Sequence, residues 1–219
     1  MNDKPMFSIE TFYQTYETET ISIKIGNKPF SFVTPKNLDE LLDASDDQNQ
    51  FPLWVKIWES SLILVDHLAN QNQSSKSLLE LGAGLGATGI IAESFGYQVT
   101  ATEYDPHAQQ FLMANAHINK CQGINIQKLD WHKPEIAGQF DIIVGSELVY
   151  KESNFEPLIA LLQKFLLPGG EVLLANEPRK LYEPFLEILK ESYHIAIWRK
   201  QLRTTDETKT ILLTRLTGK

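Results

Sequence analysis

An α/β fold with a doubly wound, mostly parallel seven-stranded sheet is predicted by three features of this 219-residue chain. Short apolar runs alternate with segments whose apolar residues recur at helical spacing, the pattern of successive strand–helix crossovers. One such run, Leu78-Leu79-Glu80-Leu81, leads into Gly82-Ala83-Gly84-Leu85-Gly86 and then a helix. A strand, a glycine turn and a helix N-terminus form a device that receives a ligand on backbone N–H groups. The last two runs, 193–198 and 210–216, are joined by too short a connection for a crossover, so the sheet should close in an antiparallel hairpin.

The elements follow in order. Ile21, Ile23 and Ile25, then Phe30 and Phe32, alternate around Gly26-Asn27-Lys28-Pro29, which predicts a small N-terminal β-hairpin extension. Residues 37–44 are a short helix candidate, and the polar stretch 45–50 is the expected boundary between an extension (1–50) and the main domain (51–219). After Pro52 a helix is expected to Asn70, with Trp58, Leu62, Val65 and Ala69 on one face. The strand and glycine turn come next, and Leu85, Thr88, Ile91, Ala92 and Phe95 give the following helix its period.

A second strand is expected over 97–103. Asp105-Pro106 then reads as a helix start, with Asp as cap and Pro in the first turn. Phe111, Ala114 and Ile118 mark that helix's buried face, and a third strand covers 124–129. The run Phe140-Asp141-Ile142-Ile143-Val144-Gly145 has the near-continuous apolar character of a central strand. A helix through Phe155, Leu158, Leu162 and Phe165 is expected to stop at Pro168-Gly169-Gly170; a fifth strand covers 171–175 and a helix 181–190.

Composition narrows the class. With 42% hydrophobic and 22% charged residues, the chain should fold as an ordinary globule with a sizeable core. A net charge of −8 argues against a nucleic-acid or anionic-membrane binder, which needs clustered Lys and Arg. The single cysteine, Cys121, excludes an internal disulfide and a thiolate zinc cluster, and suits a reducing, cytoplasmic compartment. The first fifty residues contain no long apolar run, so neither a signal peptide nor a membrane span is expected. The histidines 67, 107, 117, 132 and 194 show no ligand spacing, and no metal is assigned.

In a doubly wound sheet, ligands bind beyond the carboxyl ends of the strands. Glu80, Glu103, Asp130 and Ser146 all fall at such predicted ends, which groups them as candidates. The pattern Gly84-Leu85-Gly86-Ala87-Thr88-Gly89 also fits a dinucleotide fingerprint, and a nicotinamide-dependent oxidoreductase is one reading. Against it, the apolar run stops early, at Leu81, and Glu80 would repel a diphosphate but suit a cation.

The segments LLELGAGLGATGI, ATEYD, LDW, FDIIVGSELVY and LPGG resemble the successive motifs of the seven-strand, class I S-adenosylmethionine-dependent methyltransferases, whose sheet is Rossmann-like. KIWESSLIL and the ELVY after the fourth strand resemble the protein-lysine methyltransferase (methyltransferase 16) group within them. The resemblance runs from about Pro52 to Ala175. Where that group carries Asp-x-x-Tyr, this chain has Glu147-Leu148-Val149-Tyr150, which keeps the charge on a longer arm. The Asn/Asp-Pro-Pro-Tyr/Phe motif of amide and adenine methyltransferases is absent.

The resemblance implies S-adenosyl-L-methionine as cofactor, S-adenosyl-L-homocysteine as product and a protein lysine as acceptor, in an enzyme expected to be a monomer. It places Glu80, Gly82, Ala83, Gly84 and Ser146 around the cofactor, Glu103 on the ribose hydroxyls, Asp130 and Trp131 at the adenine, and Trp58 at the methionine end. Glu147 and Tyr150 become the catalytic candidates. Each has a plainer reading: Trp58 and Trp131 as core, Glu103 as an exposed strand-end charge, Glu147 as a charge at a helix start and Tyr150 as packing. A small-molecule N-methyltransferase and a non-catalytic cofactor-binding module are the alternative functions.

Overall fold

The computed structural model describes residues 7–37, 41, 52–71, 75–203 and 207–219. Helix α1 (Ile9–Thr15) starts at Ser8, whose side chain accepts from the Thr11 N–H. Strands β1 (Thr18–Ile25) and β2 (Lys28–Pro35) form the expected antiparallel hairpin, with Ile21 opposite Phe32 and Ile23 opposite Phe30. Gly26 makes the turn at φ +59°. The linker at 45–50, and most of the helix expected over 37–44, lie outside the described residues.

The main sheet has strands β3 (Ser77–Leu81), β4 (Gln98–Glu103), β5 (Asn125–Lys128), β6 (Phe140–Ser146), β7 (Leu166–Asn176), β8 (Tyr193–Arg203) and β9 (Thr208–Gly218). Their spatial order is β5-β4-β3-β6-β7-β9-β8. The first five lie parallel, and β9 runs antiparallel to both β7 and β8. Helices α2 (Glu59–Ala69), α3 (Ala87–Ser94), α4 (Pro106–Ile118), α5 (Phe155–Phe165) and α6 (Tyr182–Leu189) connect and cover it.

Strand alternation builds two cores. Leu78, Ile142 and Val144 face a layer containing Leu64, Val65 and Leu68 of α2 and Ile90 and Ile91 of α3. Leu79, Leu81 and Ile143 face the opposite layer, with Leu158, Leu162, Phe165 and Phe185 of α5 and α6. Central strands covered on both faces must be apolar at successive positions, which is why these runs lack the alternation of a half-exposed strand.

The N-terminal hairpin does not stand apart from this body. Phe30 and Phe32 belong to the first core, and Phe12 of α1 packs edge-on against Phe111 of α4 at 4.9 Å. The buried Asn115 amide accepts from the Val33 N–H at 2.7 Å and donates to the Val33 carbonyl at 3.1 Å. Asn119, one helical turn on, does the same to Ser31. Two side-chain amides on one face of α4 thus act as an extra strand along β2 and satisfy an edge that burial would otherwise leave unpaired.

Three element boundaries differ from the sequence expectation. The helix expected from Pro52 begins only at Glu59, after a 3₁₀ turn over Leu53–Val55. The Trp58 indole donates to the Leu53 carbonyl at 2.7 Å, closing a loop in place of the first helical turns. Trp58 is therefore the extended residue capping α2, and the face that α2 buries is Ser61, Leu64, Val65 and Leu68. Second, α5 ends at Phe165 without help from Pro168-Gly169-Gly170. Strand β7 already pairs with β6 at Leu166, and the glycines carry an irregularity in register before Glu171. A Cβ on Gly170 would lie 2.7 Å from the Asp141 carbonyl oxygen, so only glycine fits there. Third, β8 and β9 extend beyond the expected strands into polar sequence that carries no apolar alternation to announce it.

Candidate active site

After β3 the chain moves outward to β4 and β5, then returns to β6 on the other side of β3. The carboxyl ends of β3, β4 and β6 therefore part around a crevice, as topology requires at such a reversal. A cavity of about 970 Å³ opens there. It is bordered by Gly82, Ala83, Gly84, Glu103, Asp130, Trp131, Ser146, Glu147 and Tyr150, and by Trp58 from the turn before α2.

The glycine turn is shaped by its backbone. Gly82 and Gly84 sit at φ +62° and +54°, a conformation costly for any residue with a Cβ. The Ala83 N–H donates to the Thr102 carbonyl at 2.9 Å, and the Gly84 N–H to Glu103 Oε2 at 2.8 Å. Glu103 Oε1 accepts from the N–H groups of Tyr104 and Asp105 at 2.7 and 3.0 Å. One carboxylate at the end of β4 thus fixes both the glycine turn and the entry to α4 while bordering the cavity. Burial pushes its carboxyl above the ordinary value, and the three N–H donors oppose that rise. It is not the exposed strand-end charge of the plainer reading: only 9% of Glu103 is accessible.

Asp130 Oδ1 accepts from the His132 N–H at 2.9 Å, a local turn that sets Trp131. The Trp131 indole is half-buried against the second core and passes 3.6 Å from where a Gly82 Cβ would be. Leu148 closes the same wall. Gly145 must lack a side chain to admit it, since a Cβ there would lie 2.3 Å from Leu148 Cδ1. Trp58 is half-exposed at the cavity, with the Lys56 ammonium 4.0 Å from its ring centroid.

Glu147 has φ +54°, unusual for a residue other than glycine. Its N–H donates to the Ala175 carbonyl at 2.9 Å, and its Oε1 accepts from the Glu177 N–H at 2.7 Å. Its Oε2 is ion-paired with Arg179 at 2.9 Å. Burial pushes the carboxyl upward, against the pull of the Glu177 N–H and the Arg179 charge. The carboxylate expected to face an acceptor borders the cavity but is nearly buried and held from β7 and the turn beyond it. Tyr150 remains 37% exposed at the cavity edge.

Glu80 departs from its expected place. It is the fourth residue of β3, one short of the strand's end, and its side chain turns under α3 instead of bordering the cavity. Its Oε2 accepts from the Gly89 N–H at 2.9 Å. Burial pushes its carboxyl up to about 8, so it is mostly uncharged at neutral pH and offers nothing to a sulfonium or ammonium.

The sequence reading also missed bordering residues. Trp54 packs 3.5 Å from the position of a Gly84 Cβ, and Tyr104 and Leu148 complete the walls. Trp54 shares the stretch that singled out Trp58, and Leu148 lies inside the segment that supplied Glu147; each could have been found by position. Arg179 carries no local signal, because only the tertiary turn after β7 brings it to Glu147.

Comparisons with known proteins agree with this architecture. Solved structures share the fold, including the N-methyltransferase NodS of Bradyrhizobium japonicum WM9 in complex with S-adenosyl-L-homocysteine, with a TM-score of 0.60 at 21% identity over 82% of this chain and 95% of that one. The precorrin-6y C5,15-methyltransferase of Geobacter metallireducens GS-15 gives 0.64 at 14% identity, covering 80% and 96%. Among curated proteins, the protein N-lysine methyltransferase METTL21A of Danio rerio is 30% identical over 69% of this chain and 73% of its own length. The same-named protein of Xenopus tropicalis is 28% identical over 78% and 88%. The EEF1A lysine methyltransferase 3 of Mus musculus is 30% identical over 65% of each chain. The family profile described as lysine methyltransferase matches residues 36–192, so the match spans both the glycine turn and the Glu147–Tyr150 segment, and the chain belongs to the lysine methyltransferase family.

Proposed function

We propose that this enzyme moves a methyl group from S-adenosyl-L-methionine to a lysine side chain of a protein substrate, leaving S-adenosyl-L-homocysteine. One observation carries the reading in this chain's own terms: a glycine-rich turn with a buried carboxylate beside it shares a single cavity with Glu147 and Tyr150. The residues fit the cofactor. Gly82, Ala83 and Gly84 leave room for close approach, and Glu103 is an acceptor for paired ribose hydroxyls. The Trp131 face suits a purine, and Asp130 is placed to accept from its amino group. Ser146 and Trp58 border the part left for the methionine end. When bound, the cofactor supplies an already activated methyl on sulfur, so no covalent enzyme intermediate is needed.

The chain's own work is positioning and charge control. A lysine amine, with a free pKa of about 10.4, must shed a proton before it can act as a nucleophile. Glu147 receives the ammonium, and Tyr150 orients the neutral amine. Removal from water in the cavity favours loss of the proton.

Glu103→Ala should weaken S-adenosyl-L-homocysteine binding by about 1.5–3 kcal/mol, the range for hydrogen bonds to a charged group. Isothermal titration calorimetry measures it directly, and an unchanged dissociation constant means the ribose is held elsewhere. The acceptor assignment is tested by labelling a lysate of the source organism with tritiated S-adenosyl-L-methionine, then separating protein from small molecules. Label is expected on protein lysine. Glu147→Gln should cut that transfer at least tenfold with near-normal cofactor affinity, and Tyr150→Phe should cut it less. Label recovered only in small molecules, with Glu147→Gln fully active, removes the lysine reading.

A further inference from the structure

Arg179 lies outside every motif legible in the sequence, on the turn between β7 and α6, yet its guanidinium ends 2.9 Å from the Glu147 carboxylate. The two differ sharply in environment: the Glu147 side chain is 7% exposed and that of Arg179 37%. A carboxyl so enclosed tends to hold its proton unless a cation or strong donors oppose the cost of burial. We infer that Arg179 is a positioning residue for the acceptor end of the site: its guanidinium, with the Glu177 N–H, clamps the Glu147 carboxylate in its ionised form at the cavity wall, where it receives the acceptor amine. The inference rests on the lysine reading of the cavity.

The surroundings leave this task to Arg179. From α2 the nearest group is the buried, uncharged Ser60. From α6 comes Tyr182, whose hydroxyl donates to Thr214 at 2.9 Å; burial keeps its phenol protonated. From the turn after β7, Glu177 adds a second negative charge, which Lys209 offsets at 3.4 Å. Lys209 also pairs with Glu59 at 2.9 Å and Glu207 at 3.6 Å, so it is engaged away from Glu147. Among the described residues, Arg179 is the cation paired with Glu147 itself.

The choice of arginine has a chemical reason. Its guanidinium stays protonated at any working pH, so the charge that opposes the cost of burying the Glu147 carboxylate is fixed. A balanced carboxylate–guanidinium couple also avoids over-stabilising the acceptor's ammonium. A lone buried carboxylate would raise the acceptor's pKa and hold it in its unreactive form.

The experiment is a pair of titrations on the full chain as wild type, Arg179→Gln and Arg179→Lys. The first follows the Glu147 side-chain carboxyl by carbon-13 NMR with glutamate labelled at Cδ, and needs no acceptor. The second follows kcat/KM against pH for transfer of tritiated methyl to the acceptor protein purified from the labelled lysate. Arg179→Gln is expected to move the Glu147 midpoint up by about 1–3 pH units, the effect of losing an opposite charge at contact distance. The acid limb of kcat/KM should move with it, while S-adenosyl-L-homocysteine affinity stays unchanged. Arg179→Lys should restore most of the Glu147 midpoint. A loss of activity equal at every pH would mark a merely structural residue and overturn the inference. An unmoved midpoint overturns it while leaving the proposed function intact. A midpoint that moves without the acid limb overturns it by a different route, showing that Glu147 does not serve the acceptor.

Discussion

Gly84→Arg is expected to abolish cofactor binding in a protein that still folds. Two separate costs are involved. The backbone at φ +54° charges any side chain about 1–2 kcal/mol of strain. The added Cβ would meet Trp54 at 3.5–3.6 Å, ordinary contact, so the turn itself can survive. Gly84 borders the cavity beside Trp54 and Glu103, so a side chain as long as arginine crowds the space a ligand needs and brings a cation close to the Glu103 carboxylate. Affinity for S-adenosyl-L-homocysteine should fall at least about 100-fold, or roughly 2.7 kcal/mol. Gly84→Ala carries the strain but not the obstruction and should lose much less. Calorimetry on both, with circular dichroism as the check on folding, decides the matter. Retained affinity in Gly84→Arg rejects the assignment of this turn to the cofactor.

The four glycines of that stretch show how far a sequence reading reaches. The spacing predicts a turn through Gly82, Gly84 and Gly86 with Gly89 inside the helix that follows, and the turn does border the cavity. The structure divides their work. Gly82 and Gly84 leave the cavity clear. Gly86 caps α3 at φ +84°, where a Cβ would run into Leu112 at 2.0 Å, so it is a glycine for packing. Gly89 is a glycine because a Cβ would lie 2.5 Å from Glu80 Oε2. Spacing carries the fold of the turn but not the identity of the neighbours that each missing side chain makes room for.

The same limit separates Glu103 from Glu80. Both fall near the ends of predicted strands, and position alone grouped them. A β-strand sends successive side chains to opposite faces, so one residue of difference in where a strand ends decides whether a carboxylate meets the ligand edge or the underside of a helix. Short apolar runs made the sheet legible, a connection too short for a crossover its antiparallel end, and period 3.6 most of the helices. The indole of Trp58 ended its helix early through a bond to Leu53 that no periodicity announces. Asn115 and Asn119 reach β2 across 82 and 88 positions of sequence, and Arg179 reaches Glu147 across the sheet's carboxyl edge, by contacts that exist only in the folded chain.

Glu80 supplies the prediction most sensitive to pH. Burial pushes its carboxyl from about 4.5 to about 8, with the Thr88 hydroxyl and the Gly89 N–H working in the opposite direction. A raised folded-state pKa means that the native protein holds a proton that the unfolded chain releases. Stability from this group is fully present below the unfolded value, near 4.5, and is lost as pH rises towards and through about 8. At 1.36 kcal/mol per pKa unit, the loss approaches about 4 kcal/mol across that window. Glu80→Gln retains an oxygen for the Gly89 N–H and an N–H group where the acid proton was, but cannot ionise. The variant should match the wild type near pH 5 and exceed it by a few kcal/mol near pH 8.5. Urea unfolding at several pH values gives the difference between the two curves, which cancels the titration of Glu103, Glu147 and other carboxyls common to both. Parallel curves would mean that Glu80 is ionised in the folded protein. The cation-attracting role first assigned to it would then regain its physical basis.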